Sequence, residues 1–168
     1  MKCLTLVSAS FLAALASVSS ALSQPINPPQ QQIALAGSPF AVTTSTDGRW
    51  VFASLSGTAN GIAIIKQSQG SATLVGVLPT GGGTFGLTVT RDGRYLLDTV
   101  QPTGTATSPQ GVQFIDIHKA IAGEADAATV GTFSAGQFPR QWALSPDHEL
   151  LYLTEYFPRP SSDQRGEP

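Results

Sequence analysis

Cysteine is nearly absent from this chain of 168 residues, and its one copy, Cys3, stands at the extreme N-terminus. A disulfide framework and a thiolate metal site are thereby excluded from the body of the protein. Histidine is almost as scarce: His118 and His148 lie far apart, neither at metal-ligand spacing from a second His or a carboxylate. No metal and no cofactor is expected from that pattern. Charged residues make up only 12% and the formal net charge is −2, so no basic face is available for nucleic acid. A Gly-x-Ser-x-Gly nucleophile elbow is missing. Gly81-Gly82-Gly83-Thr84 is rich in glycine but lacks the Lys of a phosphate loop, and reads as a flexible connection. Long apolar runs are missing too, apart from Leu4 to Val18, which is shorter than the about 20 residues a membrane span needs.

That single apolar run follows Lys2 and precedes Ala21-Leu22-Ser23, a set of small residues placed as a cleavage site requires. The layout predicts a secretory signal peptide over residues 1–23, cut between Ser23 and Gln24. The expected location is therefore secreted or periplasmic, with no membrane association after cleavage. Loss of Lys2 takes the formal charge from −2 to −3. Residues 24–32, with Pro25, Pro28 and Pro29, read as a Pro/Gln linker.

From Ile33 onward the chain is built of short apolar segments separated by Gly, Pro, Asn and Ser, which predicts strands. The same design appears three times. Pro39 to Arg49, Thr84 to Arg94 and Pro139 to Glu149 each end in an Asp turn, and each is followed by an apolar strand starting at Trp50, Tyr95 or Leu150. The spacing from Asp47 to Asp92 is 45 residues and from Asp92 to Asp147 is 55, the excess being two loop insertions of five. Each unit reads as four strands. They are Phe40–Ser45, Trp50–Ser54, Ile62–Lys66 and Thr73–Leu78 in the first; Phe85–Thr90, Tyr95–Thr99, Val112–Ile117 and Thr129–Phe133 in the second. A third unit has Gln141–Ser145 and Leu150–Thr154, and Ile33-Ala34-Leu35 reads as a stray last strand of a preceding unit. A helical turn is expected within Ile117 to Ala128. Asp-Gly favours a tight hairpin because Asp bonds its own backbone and Gly accepts positive φ; His148 takes the place of that Gly in the third unit and is expected to carry mild strain. Repeats of this length made of short strands predict an all-β fold, a partial β-propeller of four-stranded antiparallel blades: about two complete blades plus flanking strands over residues 33–157.

These residues carry a resemblance. Pro139 with Ser145-Pro146-Asp147 and Tyr152-Leu153-Thr154, the looser copies Ser45-Thr46-Asp47-Gly48 and Thr90-Arg91-Asp92-Gly93, and the third-strand run Val112-Gln113-Phe114-Ile115-Asp116 resemble the YncE-like, YVTN-repeat propellers, a group placed with the lactonase-like propellers. The resemblance implies a WD40-like ring of repeated blades and raises the expectation of a hydrolase of sugar lactones. Because such rings have typically 4–8 blades, the length implies a truncated member; an oligomer completing a ring, or an unstable remnant, are the other two readings. The polar, Pro-containing residues 158–168 read as a disordered tail.

Three side chains are candidates for contact with a ligand. Asp98 and Glu155 fall at or just past the end of a second strand, beside the loop rim. Arg140 begins a first strand where the earlier units have Phe40 and Phe85, and could face an anionic group in the channel; a surface salt bridge with Glu155 is the bland alternative. Trp50, Tyr95, Trp142 and Tyr152 are expected to pack between blades. No catalytic set emerges, so the leading expectation is a binding scaffold that meets a protein or small molecule across its loop rim. Self-association through open blade edges is a further expectation, and a sugar-lactone hydrolase is the alternative function.

Overall fold

The computed structural model describes residues 30–101, 110–136 and 138–156; the leader, most of the linker and the tail lie outside the described residues. Alternating apolar residues form one sheet per repeat. The first contains β1 (Ser38–Thr44), β2 (Trp50–Ser56), β3 (Gly61–Ser68) and β4 (Ser71–Leu78), antiparallel and in chain order. The second repeats it with β5 (Gly83–Val89), β6 (Tyr95–Gln101), β7 (Gly111–Asp116) and β8 (Thr129–Phe133), and the third sheet is the pair β9 (Pro139–Leu144) and β10 (Leu151–Glu155). The chain is thus all-β in four-stranded propeller blades, two of them complete.

Two local expectations are corrected. Ile33–Leu35 forms no strand; Leu35 instead packs on Ala53, Leu55 and Ala63 of the first blade. Ile117 leaves the strand and begins α1 (Ile117–Ala122), followed by α2 (Ala125–Ala128), in the stretch where a helical turn is expected. The Asp116 carboxylate causes the switch, accepting the backbone N–H groups of His118 and Lys119, and Gly123 at φ 82° closes the helix.

The Asp turns are three copies of one hydrogen-bonded unit. Ser45 Oγ donates to the Asp47 carboxylate and accepts from Trp50 N at 3.0 Å, while Asp47 accepts from Arg49 N at 3.0 Å. Thr90, Asp92, Arg94 and Tyr95 repeat the pattern, as do Ser145, Asp147, Glu149 and Leu150. The hydroxyl first, and then the backbone N–H, hold all three carboxyls below the ordinary Asp range. The turn places Gly48 at φ 68°, Gly93 at φ 72° and His148 at φ 64°. His148 therefore does occupy the left-handed region, at a cost of about 1 kcal/mol.

A second repeated unit joins the blades. The first strand of each sheet slips register at one equivalent place: between Pro39 and Val42, between Thr84 and Leu87, and between Pro139 and Trp142. Each bulge withdraws a backbone N–H from its ladder. The second strand supplies the missing acceptor with a hydroxyl: Ser54 takes Ala41 N at 2.9 Å, Thr99 takes Gly86 N at 2.6 Å and Thr154 takes Gln141 N at 3.0 Å. The hydroxyl proton then crosses to the next blade, from Ser54 to Phe85 O at 3.1 Å and from Thr99 to Arg140 O at 3.0 Å. Thr154, with no further blade among the described residues, returns its proton to Gln141 O at 3.0 Å. Thr84 Oγ1, which accepts Leu55 N at 3.0 Å, and Gln101, which donates to Pro139 O at 2.7 Å, tie the same seams.

Apolar faces close around these bonds. Phe52, Ile62, Ile64 and Leu78 of the first blade meet Leu96, Ile115, Ile117, Ala120 and Ala128 of the second. Fully burying such a side chain is worth about 1.5–3 kcal/mol, so this seam holds most of the cohesion. Of the aromatic residues expected to pack between blades, Trp50 packs against this core, whereas Tyr152 is 60% exposed. The Gln31 side-chain amide covers part of the free edge of β4, donating to Ala72 O at 2.6 Å and accepting from Ala72 N at 2.7 Å.

Thr99→Val should lower stability by about 1–3 kcal/mol, because it orphans the buried Gly86 N–H and Arg140 C=O. Thr154→Val, where the same bonds are exposed, should cost under about 1 kcal/mol. Urea midpoints of the two variants compare them directly.

Candidate functional site

The bulged position of the first strands is occupied by Phe40, Phe85 and Arg140, and their side chains line up across the three sheets. The rings of Phe40 and Phe85 stand 4.7 Å apart at 59°. The Arg140 guanidinium lies 4.6 Å from the Phe85 ring centre and 5.5 Å from that of Tyr156. Phe85 is buried, Arg140 half-buried, and Phe40 and Tyr156 are half exposed. The backbone beneath this row is pinned: Arg140 O receives the Thr99 hydroxyl, and Tyr156 N donates to Phe138 O at 3.1 Å. A guanidinium over two rings gains cation–π attraction, and its N–H groups form no ion pair among the described residues.

Glu155 closes β10 opposite Pro139. Its carboxylate lies against Gly136, where an added Cβ would overlap it. The salt bridge weighed for Arg140 and Glu155 does not form; among the described residues the one ion pair is Arg49–Asp47, at 2.6 Å on the surface. Arg140 and Glu155 thus share one two-stranded sheet without being paired.

Asp98 stands elsewhere. The sequence reading placed it at a strand end beside the rim, but β6 runs on to Gln101 and Asp98 is in its middle, 0% exposed. The strand continues because Val100 and Gln101 pair with Thr84 and Gly83 of β5 and Val100 with Gly111 of β7, and the Gln101 side chain then bonds the third sheet. Side chains alternate across a strand, so Thr99 faces Arg140 while Asp98 faces the first blade together with Leu96. Burial pushes its carboxyl well above the ordinary Asp range. Among the described residues neither oxygen has a hydrogen-bond partner, and the same is true of Gln113 Oε1 on the next strand.

Two features escaped the sequence reading. Tyr156, the far wall of the Arg140 clamp, follows the last strand and matches no blade motif. The other is a cleft of about 420 Å³ between the second and third sheets, lined by Leu97, Phe114, Leu144, Leu150 and Leu151 with Arg91 at its rim. In the seam between the first two blades the equivalent space holds Ile115, Ile117 and Ala120, which come from the third strand and helix of the second blade. Among the described residues no three His, Cys, Asp or Glu side chains gather as metal ligands.

Contact between the second and third sheets requires a bare backbone at Gly86, where a Cβ would lie 2.5 Å from Trp142 Cδ1 and 2.8 Å from Arg140 O. Gly86→Ala should therefore cost about 1–3 kcal/mol by overpacking and displace Arg140, seen as an altered near-ultraviolet signal from Trp142.

No family model matches the chain, and no curated protein does. Among solved structures it is similar to the crystal structure of a candidate 6-phosphogluconolactonase from Bacteroides fragilis, with a TM-score of 0.57 at 15% identity. The match covers 74% of this chain and 34% of that one, so the chain spans about a third of the neighbour's length. At that identity the likeness carries the fold alone, a β-propeller.

Proposed function

We propose that this chain is an exported β-propeller module, of the YncE-like kind, that captures a small anionic ligand on its inner strands without transforming it. The observation that supports this reading is the Arg140 guanidinium, stacked on Phe85 and Tyr156 with no carboxylate paired to it among the described residues. Such a group is preorganised for a planar two-oxygen partner, a carboxylate or a phosphate. The exposed faces of Phe40 and Tyr156 would border the non-polar part of the ligand, and Glu155 would stand at the rim. Catalysis receives less support, because Asp98 is sealed on the far side of the second blade and no acid–base pair meets Arg140 among the described residues. The open cleft beside β10 favours contact with a second protein strand, including one from another copy.

A hydrolase of sugar lactones is the second reading, favoured by the name of the structural neighbour. A phosphorylated sugar acid serves as probe for both. Titration calorimetry should show binding of 6-phosphogluconate that weakens roughly 10- to 100-fold in Arg140→Ala, the worth of a charged hydrogen-bonded contact, with Arg140→Lys failing to restore it. Absence of binding by any carboxylate or phosphate sugar would overturn the proposal. Acid release from the lactone in a pH-stat, lost in Arg140→Ala, would establish the hydrolase instead.

A further inference from the structure

The seam between the first and second blades contains a polar pair with no counterpart in the first blade itself. Asp98 on β6 stands directly opposite Gln113 on β7. The repeat-equivalent pair on β2 and β3 is Ala53 opposite Ala63. Directly opposed residues of antiparallel strands have Cβ atoms about 4.5–5.5 Å apart, so the acid and the amide are within reach of each other. Asp98 is 0% and Gln113 6% exposed, and both Asp98 oxygens and Gln113 Oε1 have no partner. With Gln113 oriented so that its oxygen faces the acid, three buried oxygens have no donor directed at them, and each unsatisfied group costs about 1–3 kcal/mol.

One proton on Asp98 satisfies two of the three oxygens in a single bond. We propose that Asp98 is held as a neutral carboxylic acid that donates its proton to Gln113 Oε1, forming a clasp inside the seam that opens when the proton is lost. The surroundings offer nothing that would stabilise the ionised form. Leu87 faces Asp98 from β5, and the first-blade side of the seam presents Phe52 from β2 and Ile62 and Ile64 from β3; β1 carries no charged residue. Of the titratable groups on these strands, Lys66 is an exposed residue toward the outer end of β3, stacked over Trp50. Asp116 caps α1, and Tyr95 points to the opposite face of β6 by strand alternation. A metal ion would need several more oxygen ligands than this pair supplies.

The sign of the effect is set by where the proton binds more tightly. Burial raises the folded-state pKa of Asp98, whereas the unfolded chain titrates near about 3.9. The contribution to stability is therefore complete below that value and declines as pH rises toward the folded pKa, with the unfolding constant growing by up to about tenfold per pH unit in that window.

The test is chemical denaturation of the full chain across the acid-to-alkaline range, for wild type and Asp98→Asn. The Asn amide keeps the donor and cannot ionise, so the variant should lose the decline and be the more stable protein at neutral pH. Infrared difference spectra of the folded wild type at neutral pH should show the carbonyl band of a protonated carboxylic acid. That second measurement decides the matter even if Asp98→Asn fails to fold. A missing band, or an Asp98→Asn variant with the wild-type pH profile, would overturn the proposal.

Discussion

One hydroxyl group per blade carries the architecture. At the bulge of each first strand a backbone N–H is turned out of the ladder, and a buried donor without an acceptor would cost about as much as several favourable contacts return. Ser54 and Thr99 accept that N–H and send their own proton to a carbonyl of the next sheet. The same atom therefore repairs a sheet and fastens it to its neighbour. A one-residue slip would turn the hydroxyl to the wrong face, so the bond also specifies register. Apolar packing at Phe52, Ile62 and Leu96 then follows, because the sheets have already been brought together in one orientation.

The site depends on that same bond. Arg140 sits at the bulge of the third sheet, and its carbonyl is the end point of the Thr99 bridge. The guanidinium is thus carried by a fixed backbone and its planar face is covered by Phe85. Sequence repetition gave the position a hydrophobic history: Phe40 and Phe85 stack where Arg140 now continues the row. Replacing a ring by a guanidinium keeps a flat group in the stack while adding a charge.

Much of the fold could be read from the residues. The Asp turns, the 45- and 55-residue spacing and the apolar second strands all survive in the structure, because each is governed by local backbone chemistry. His148 could even be assigned its left-handed conformation from its alignment with Gly48 and Gly93. What local reading missed came from contacts between strands and between sheets. Asp98 looked like a rim residue because its strand was ended too early, and the extra length comes from Val100 and Gln101 pairing with β5 and Val100 with Gly111. The Asp98–Gln113 pairing was latent in the alignment with Ala53 and Ala63, but a polar pair at strand positions reads as surface until the neighbouring blade is in place. Tyr156 lies beyond the repeat and carried no signal.

The side chain of Gln31 has a consequence of its own. By presenting an amide to both backbone groups of Ala72, it imitates one peptide unit of a fifth strand on the rim of the first blade. A dummy peptide of this kind satisfies one residue of the edge without extending the sheet. The outer edges of the sheets are then unequal: one peptide unit of β4 is claimed by the chain itself, while β8 and β10 carry no such side-chain amide among the described residues. A strand added beside β4 would have to displace Gln31 first, whereas one added beside β8 or β10 would not.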